Sequence, residues 1–345
     1  MTNPPPGERM RAEIAAQPDV LAGLVEHRSA LAEVAARIAA AKPRFVLFAA
    51  RGTSDHAALY AKYLTEVHLG LPAGSVSPST TTLYGAEPDL TDVLYVTVSQ
   101  SGGSPDLVEA TRSAKARGAL TVAVTNTGDS PLAEAAELAV DVAAGPEVAV
   151  AATKTYTATL LSLYLLIDAV RGGTAEAVAD IGELAAAALA AEGVDEAVAR
   201  LRFADRVLTT GRGYSSATAA EAALKLAETS YLPARAYSAA DLLHGPVAAV
   251  DKDTAVVAVA SAGRGGDAVR EALEVVAGNG ADIIAAGSAA ADVPATLRIG
   301  LPTTAEEIAP ILEILPLQRL AHGLALARGG DPDAPRGLSK VTRTR

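Results

Sequence analysis

Cysteine is absent from the 345 residues of this sequence. This absence excludes a disulfide scaffold, a thiolate metal site and a cysteine nucleophile. The sequence also has no run of lysine or arginine, and its formal net charge is -11 at pH 7. Nucleic acid and an anionic membrane are therefore poor candidates for its main partner. An anionic ligand would need locally placed cations or amide donors.

Long apolar segments are absent as well. The most apolar stretch, residues 160–170, is interrupted by Ser162, Tyr164 and Asp168. It is far shorter than the roughly 20 residues that span a bilayer, and it is predicted to be a buried helix. Residues 1–9 are polar and proline-rich and lack the charged-then-apolar pattern of a secretory signal. These features predict a cytoplasmic protein with no membrane partner.

The chain does contain ample apolar material, since 50% of its residues are hydrophobic. Its length exceeds the usual single-domain range, so two domains with separate cores are expected. Short β-rich runs alternate with helical patterns, which is typical of a parallel sheet with helices on both faces. The predicted strands are residues 44–50, 93–98, 120–125, 138–142, 205–210, 254–261, 281–286 and 296–299.

The two halves of the chain resemble each other. Residues 48–54 read Phe-Ala-Ala-Arg-Gly-Thr-Ser and residues 209–215 read Thr-Thr-Gly-Arg-Gly-Tyr-Ser, each after a predicted strand and before an alanine-rich helix. A duplicated domain is the simplest explanation. The predicted organisation is an N-terminal helical segment (1–32), a first domain (33–172), a connecting helix (173–200), a second domain (201–330) and a C-terminal tail (331–345).

A serine- and glycine-rich segment, residues 99–106, follows one predicted strand and precedes a helical run. Ser99, Ser101 and Ser104 supply hydroxyls, the glycines allow close backbone approach, and Pro105 suits the first position of a helix. Unpaired amides at a helix N-terminus, together with these hydroxyls, would form a neutral cradle for a phosphate. The alternative is an ordinary helix cap and loop.

A second cluster is predicted to lie on one helix face, because Glu221, Lys225 and Glu228 are spaced four and three residues apart. Such a stripe is usually a solvated face with weak ion pairs. Its helix begins at the Gly-Arg-Gly turn of residues 211–213, however, where parallel sheets hold their ligands. His244, in a loop before Gly245 and Pro246, is either a turn residue or a proton carrier. Residues 331–340 are either a frayed terminus or part of a site.

Taken together, these motifs resemble the sugar isomerase (SIS) family, and in particular the isomerase half of glutamine:fructose-6-phosphate amidotransferase. The matching motifs occur in the family's order over nearly the whole chain. They are residues 11–18, 99–102, 145–147, 153–154, 221–228, 244–246 and 316–318 and the tail around Lys340. The resemblance implies two tandem SIS domains, each a three-layer αβα, flavodoxin-like parallel sheet. It also implies a homodimer with shared active sites, no metal and no cofactor.

By this resemblance, Glu228 is the base that moves a proton between C1 and C2 of a sugar, and Lys225 positions the sugar. His244 opens the ring and reaches the neighbouring subunit's site, while Lys340 forms a Schiff base with the open keto sugar. The implied phosphate-binding residues are Ser54, Ser99, Gln100, Ser101, Ser104 and Thr153, and the other implied substrate-binding residues are Thr53, Val150 and Glu221. The residue types suit isomerisation, which needs a base near both carbons, a fixed phosphate and an electron sink.

The sequence also departs from the amidotransferase pattern. Arg51 stands where that family has a small thiol residue, and Ala152 replaces a phosphate-contacting serine. With no cysteine, and beginning where the glutaminase domain would end, the chain is expected not to draw nitrogen from glutamine. The Arg-Gly-Thr-Ser-Asp-His form of residues 51–56 is more similar to the stand-alone glucosamine-6-phosphate deaminase branch.

The predicted function is therefore an isomerase and deaminase that converts glucosamine 6-phosphate to fructose 6-phosphate and ammonia. One alternative is related proton-abstraction chemistry, dehydration or isomerisation, on N-acetylglucosamine 6-phosphate or another hexosamine phosphate. The other alternative is a non-catalytic phosphosugar sensor. A sensor would need the serine cradle but would have no use for Glu228, His244 and Lys340 together.

Overall fold

The computed structural model describes residues 4–340, so the outer ends of the predicted N-terminal segment and C-terminal tail lie outside the described residues. The chain divides into two compact units. Of the described residues, the first unit comprises 19–147, 154–179 and 339–340, and the second comprises 4–18, 148–153 and 180–338. Each unit contains one five-stranded sheet.

The elements up to residue 179 are α1 (Glu8–Ala15), α2 (Gln17–Glu26), α3 (Ala32–Ala41), β1 (Phe45–Ala49), α4 (Thr53–Leu64), β2 (Ala73–Ser75), α5 (Ser79–Thr82), β3 (Val93–Val98), α6 (Pro105–Ala116), β4 (Leu120–Thr125), α7 (Pro131–Ala135), β5 (Leu138–Asp141) and α8 (Lys154–Val170). Short 3-10 turns cover Arg28–Leu31 and Glu176–Val178, and a π turn covers Thr65–Leu69.

The remaining elements are α9 (Ile181–Leu189), α10 (Val194–Leu201), β6 (Val207–Gly211), α11 (Ser215–Ser230), β7 (Arg235–Ser238), α12 (Ala239–Leu243), β8 (Ala255–Val259), α13 (Arg264–Gly278), β9 (Asp282–Gly287), β10 (Leu297–Gly300) and α14 (Ala309–Ala327). Two 3-10 turns cover Pro246–Ala249 and Ala290–Asp292.

All strand pairs are parallel, and the two sheets have the same topology. The strand order is β2-β1-β3-β4-β5 in the first unit and β7-β6-β8-β9-β10 in the second. This flavodoxin-like order reverses direction between β1 and β3, and again between β6 and β8. Because parallel crossovers are right-handed, the reversal places α4 and α6 on opposite faces of the first sheet, and α11 and α13 on opposite faces of the second. The predicted α/β class with two tandem sheets is confirmed.

Several strands could be predicted from the apolar pattern of the sequence because most of their residues are buried. The central strands β3, β4 and β8 consist of apolar residues with a few threonines, as expected for strands covered on both faces, and β8 is buried at every residue. The stretch predicted as a buried helix lies within α8, which is buried over nearly its whole length. In the part of the chain that the structure describes, no helix is both long and apolar enough to cross a membrane.

The prediction that residues 173–200 form one connecting helix is wrong, because this segment is interrupted. It contains a 3-10 turn and two separate helices, α9 and α10. The break occurs at residues 190–193, and Gly193 there has φ 88°, a left-handed conformation that ends helical geometry and is accessible to glycine at little cost. A run rich in Ala, Glu and Leu therefore conceals a turn that the pattern alone did not reveal.

Candidate active site

A cavity of about 300 Å³ lies at the point where the strand order of the first sheet reverses. The loops that follow β1 and β3 diverge there, which is where open α/β sheets bind their ligands. Its lining contains five of the six predicted phosphate-binding residues together with the tail lysine. The lining residues are Arg51, Gly52, Ser54, Val98, Ser99, Gln100, Ser101, Ser104, Leu107 and Lys340.

Backbone geometry shapes the serine loop of this cavity. Gly102 has φ 59°, and a Cβ at this position would lie 2.1 Å from Ser130 Oγ, so only glycine fits. Ser101 Oγ accepts a hydrogen bond from Gly103 N at 3.3 Å. Ser104 occupies the position before α6 but makes no capping hydrogen bond through its side chain. Ser104 is therefore the N-cap residue by position, but its side chain does not cap the helix, and the residue lines the cavity.

The tail lysine is held beside this cavity by a buried carboxylate. Lys340 Nζ lies 2.7 Å from Oε2 of Glu147, whose side chain has no exposed surface. Glu147 also accepts hydrogen bonds from Thr155 N at 3.0 Å and Thr155 Oγ1 at 2.7 Å. These bonds fix the carboxylate at the start of α8 and give the tail a specific anchor in the first unit.

A second ion pair lies at the same cavity. Arg51 donates to Asp106 Oδ2 from Nε at 3.0 Å, and its Nη2 lies 2.8 Å from the same oxygen. Asp106 Oδ1 accepts from Leu107 N at 2.9 Å, within the first turn of α6. The Asp106 side chain is 2% exposed, whereas that of Arg51 is 48% exposed. One acidic group is thus buried beside the cavity, next to the lining residue Leu107 in sequence, and the guanidinium of the lining residue Arg51 contacts it.

The Glu221–Lys225–Glu228 stripe is not a solvated face. Glu221 and Lys225 are fully buried on α11, while Glu228 keeps 21% of its side-chain surface exposed. Lys225 Nζ lies 3.3 Å from Glu221 Oε1 and 2.5 Å from Glu228 Oε2. Burial opposes a charge on Lys225, but the two carboxylates outweigh it and raise the pKa of the ammonium group above its usual value. Lys225 is therefore a cation at neutral pH, and Glu228 is the accessible carboxylate.

The remaining predicted site residues are divided between the two units. Glu228 and His244 belong to the second unit, and His244 is exposed at the end of α12. Thr53 opens α4 and is partly buried, whereas Val150 and Thr153 belong to the second unit, where Thr153 has no exposed surface. The backbone oxygen of Thr153 accepts a hydrogen bond from Gln318 Nε2 at 3.1 Å, and Gln318 Oε1 accepts one from Gln17 Nε2 at 2.8 Å.

The corresponding reversal point of the second sheet contains a carboxylate from the chain itself. Glu306 Oε2 accepts from Arg264 N at 3.0 Å, and Glu306 Oε1 accepts from Gly265 N at 2.7 Å, both in the first turn of α13. A Cβ at Gly263 would lie 2.3 Å from Glu306 Oε2, so glycine leaves the space that the carboxylate fills. The second copy of the cradle is therefore filled by a side chain.

A second glutamate lies deeper at the same place. Glu313, on α14, is 1% exposed and accepts hydrogen bonds from Ser215 Oγ at 2.7 Å, Thr218 Oγ1 at 2.8 Å and Ser261 Oγ at 2.5 Å. Burial is the main cause that raises the pKa of Glu313 above its ordinary value, although the three hydroxyl groups oppose the change. Ser215 is the counterpart of Ser54, and in this copy its hydroxyl donates a hydrogen bond to the carboxylate of Glu313.

No role was predicted from the sequence for the four acidic residues of these two sites, Asp106, Glu147, Glu306 and Glu313. Glu147 offered a weak signal, because it is a lone glutamate in the otherwise apolar stretch of residues 142–152. Asp106 followed a proline at the start of a helix, where acidic residues are common. Glu306 and Glu313 offered none, since their partners lie 41 to 98 residues away in sequence.

A scan against protein-family models finds the SIS domain twice, at residues 40–169 and 200–327. The glutamine–fructose-6-phosphate aminotransferase (isomerizing) of Pseudomonas putida is 38% identical over 317 residues. That match covers 87% of this chain and 52% of the relative, so the chain spans about half the length of the aminotransferases it matches.

Solved structures show the same architecture. A structure from Silicibacter pomeroyi DSS-3, provisionally named a phosphosugar isomerase, has a TM-score of 0.88 and 35% identity and covers 94% of this chain and 99% of its own. The glucosamine-6-phosphate deaminase of Thermotoga maritima has a TM-score of 0.82 over 98% of this chain and 100% of its own, and at 24% identity it shows the shared fold. The chain belongs to the SIS-domain family and carries two such domains in tandem.

Proposed function

We propose that this chain is a phosphosugar isomerase that converts glucosamine 6-phosphate to fructose 6-phosphate and ammonia. The observation that carries the proposal is the cavity at the reversal point of the first sheet, where Ser54, Ser99, Ser101 and Ser104 meet Lys340. Hydroxyls and helix-terminal amides suit a phosphate, and a lysine beside them suits the carbonyl end of an open sugar. The names of the relatives and of the solved structures support isomerisation of a phosphosugar.

The proposed reaction needs few groups. After His244 assists ring opening, Glu228 removes the proton from C2 and returns one to C1, so that the amine on C2 becomes an imine. Water then hydrolyses the C2 imine, giving the ketone of fructose 6-phosphate and releasing ammonia. Lys340 would condense reversibly with the C2 ketone of fructose 6-phosphate, releasing water, and hydrolysis of this Schiff base would return the free lysine and the product. Lys225, which stays cationic, would stabilise negative charge on the enediol-like intermediate.

Burial on α11 supports Glu228 as the base rather than Lys225 or Glu221. A general base must have an available lone pair and must reach the substrate. Lys225 carries a proton at neutral pH, and Glu221 has no exposed side-chain surface. Glu228 is an accessible carboxylate held in place by the ammonium group of Lys225.

We further propose a homodimer with shared active sites, a cytoplasmic location and the predicted bounds of the two SIS domains, residues 33–172 and 201–330. Thr53, Gln100, Val150 and Thr153 remain proposed substrate contacts.

Deuterium exchange tests the proposal. Substrate held in deuterated water should acquire deuterium at C2, or product at C1, when the wild-type protein is present. Glu228→Gln keeps the size of the side chain but cannot accept the proton, so turnover should fall about 10²- to 10⁴-fold while binding survives. Exchange at the wild-type rate in the variant would show that Glu228 is not the base, and a loss confined to KM would indicate a positioning residue.

A panel of hexosamine 6-phosphates identifies the substrate in the same experiment. Release of ammonia from glucosamine 6-phosphate supports the deaminase. N-acetylglucosamine 6-phosphate cannot readily lose its acetylated nitrogen, so dehydration at C3 would instead produce a new ultraviolet absorbance. Binding without exchange, ammonia or absorbance on any member of the panel would leave the sensor as the function.

A further inference from the structure

The buried carboxylate of Asp106, which contacts the lining residue Arg51 of the proposed phosphate cavity, is unfavourable for an anionic ligand. Asp106 lies in the first turn of α6, which borders the cavity, and its side chain is 2% exposed. A charge in such a poorly solvated position acts on a neighbouring anion with little screening. Asp106 alone would therefore repel a phosphate dianion held by Ser99, Ser101 and Ser104.

Arg51 is placed to cancel this repulsion. Two nitrogens of its guanidinium contact the single oxygen Oδ2 of Asp106, at 3.0 and 2.8 Å. Among residues 4–340, no hydrogen bond engages Nη1 of Arg51, and nearly half of the side chain is exposed at the cavity. The other cation in the lining, Lys340, is already balanced by Glu147. The charge of Arg51 therefore decides whether the cavity wall is neutral or negative.

The second SIS domain shows that this pair is not a general feature of the fold. Arg212 and Asp267 stand at the matching positions after β6 and β8, but Arg212 contacts Ser238 at 3.4 Å and the Asp267 side chain is 70% exposed beside Arg270. In that copy the cradle is filled by Glu306. The arginine–aspartate pair is thus found in the copy whose cradle has room for a ligand.

We propose that Arg51 is a specificity-determining residue that makes the cavity selective for a doubly charged phosphate by neutralising Asp106. The proposal rests on the proposed assignment of this cavity as the phosphate site. It does not depend on which sugar reacts, because it concerns the charge of the bound group and not the chemistry at C1 and C2.

The probe is glucitol 6-phosphate, an open-chain polyol phosphate without a carbonyl, which cannot isomerise. Its binding to the full chain is measured by calorimetry at pH 7.5, and glucitol 6-sulfate, which carries one negative charge, is measured in parallel. Arg51→Gln is expected to weaken phosphate binding roughly 10- to 100-fold, the range for one charge-assisted contact, and to weaken sulfate binding less. Equal losses for both anions would overturn charge selectivity.

The double variant distinguishes charge balance from direct contact. Arg51→Gln with Asp106→Asn restores a neutral wall, and asparagine keeps an oxygen for Leu107 N, so most of the lost affinity should return. A double variant as weak as Arg51→Gln would overturn the proposal. Asp106→Asn alone should bind the phosphate more tightly than wild type, which also tests the idea if Arg51→Gln fails to fold. Unchanged or weaker binding by Asp106→Asn would likewise count against it.

A serine variant separates this proposal from the assignment of the cavity itself. Ser99→Ala with Ser101→Ala should weaken binding of glucitol 6-phosphate if the cavity is the phosphate site. Should the serine variant lose affinity while Arg51→Gln keeps it, the phosphate site stands and the role of Arg51 is wrong. If neither variant loses affinity, the cavity assignment fails, and the proposal for Arg51 fails with it.

Discussion

At the residue scale, Glu313 is a buried acid whose carboxylate is hydrogen-bonded within the second unit. It is almost fully buried, and three hydroxyl groups donate to its two oxygens. An isolated buried carboxylate would be very costly, so the hydroxyl groups lower the cost of either protonation state without removing it. Because burial still dominates, the pKa of Glu313 is raised in the folded chain.

A raised pKa makes folding stability depend on pH. The folded chain retains the proton of Glu313 at pH values where the unfolded chain has lost it, so stability from this group is complete below about pH 4.3 and is lost as the pH rises through the folded-state pKa. Glu313→Gln is neutral at every pH. We expect the free energy of unfolding of wild type minus that of the variant to decrease with rising pH, by at most about 1.4 kcal/mol per unit.

Urea unfolding between pH 4 and pH 8 measures this difference. Glu274→Gln, which changes an exposed glutamate on α13, is the matched control and should track wild type at each pH. A difference between wild type and Glu313→Gln that stays constant over this range would contradict the raised pKa.

At the scale of elements, the loop after β3 in the first SIS domain differs in sequence from the corresponding loop after β8 in the second. Counting from the ends of β3 and β8, the first, third and sixth residues are Ser99, Ser101 and Ser104 in one copy and Ala260, Ala262 and Gly265 in the other. Hydroxyls are absent from these three positions in the copy in which Glu306 bonds to the amides of α13, although Ser261 between them donates to Glu313. Small residues therefore stand in the second copy where the first copy has serines.

Removing the internal carboxylate should expose an anion site in the second SIS domain. Glu306→Ala leaves the amides of Arg264 and Gly265 without their acceptor, which should cost about 1 kcal/mol of stability, as for other lost helix caps. Added inorganic phosphate should recover part of this loss. The measurement is the thermal midpoint with and without phosphate, in a background carrying Ser99→Ala and Ser101→Ala so that the first cradle does not contribute.

The background protein with Glu306 intact is the control, and phosphate should stabilise it less than the Glu306→Ala variant. If the two proteins respond equally to phosphate, the second cradle does not bind anions even when it is vacated.

Elements were predictable where the apolar pattern was long and unbroken. The central strands and α8 are of this kind. The edge strands β2 and β7 were missed, because Ala73–Ser75 and Arg235–Ser238 contain only three or four residues each, with neither alternation nor an apolar run. The other two edge strands, β5 and β10, are equally short but were predicted, because apolar residues two positions apart, such as Leu297 and Ile299, give them a recognisable pattern.

At the scale of the whole molecule, the sequence predicted most of the cavity lining but not what controls its charge. The serine loop and the loop after β1 follow strands that are adjacent across the reversal point, so strand order alone brings them together. The Arg51–Asp106 pair joins residues 55 apart and the Lys340–Glu147 pair joins residues 193 apart. Such pairings depend on side-chain directions that no local pattern encodes.

The proposed homodimer makes a prediction about complementation. If His244 serves the active site of the neighbouring subunit, then His244→Ala and Glu228→Gln proteins are each inactive, but a mixture regains part of the activity, because some hybrid sites contain both intact groups. His244 is exposed in the single chain, as such a role requires. The measurement is turnover after subunit exchange, verified by a tagged partner.

Each variant mixed with itself is the control for residual activity, because exchange between identical subunits creates no site with both intact groups. No recovery, despite proven exchange of tagged subunits, would mean that each active site is built within one chain.

The carboxylate of Glu306 also sets a threshold for any free anion at the second cradle. A tethered group competes for its site at an effective concentration in the millimolar range or above, which a free metabolite must exceed to displace it. Under the proposed function, a sugar phosphate would therefore fill the first cradle and leave the second to Glu306.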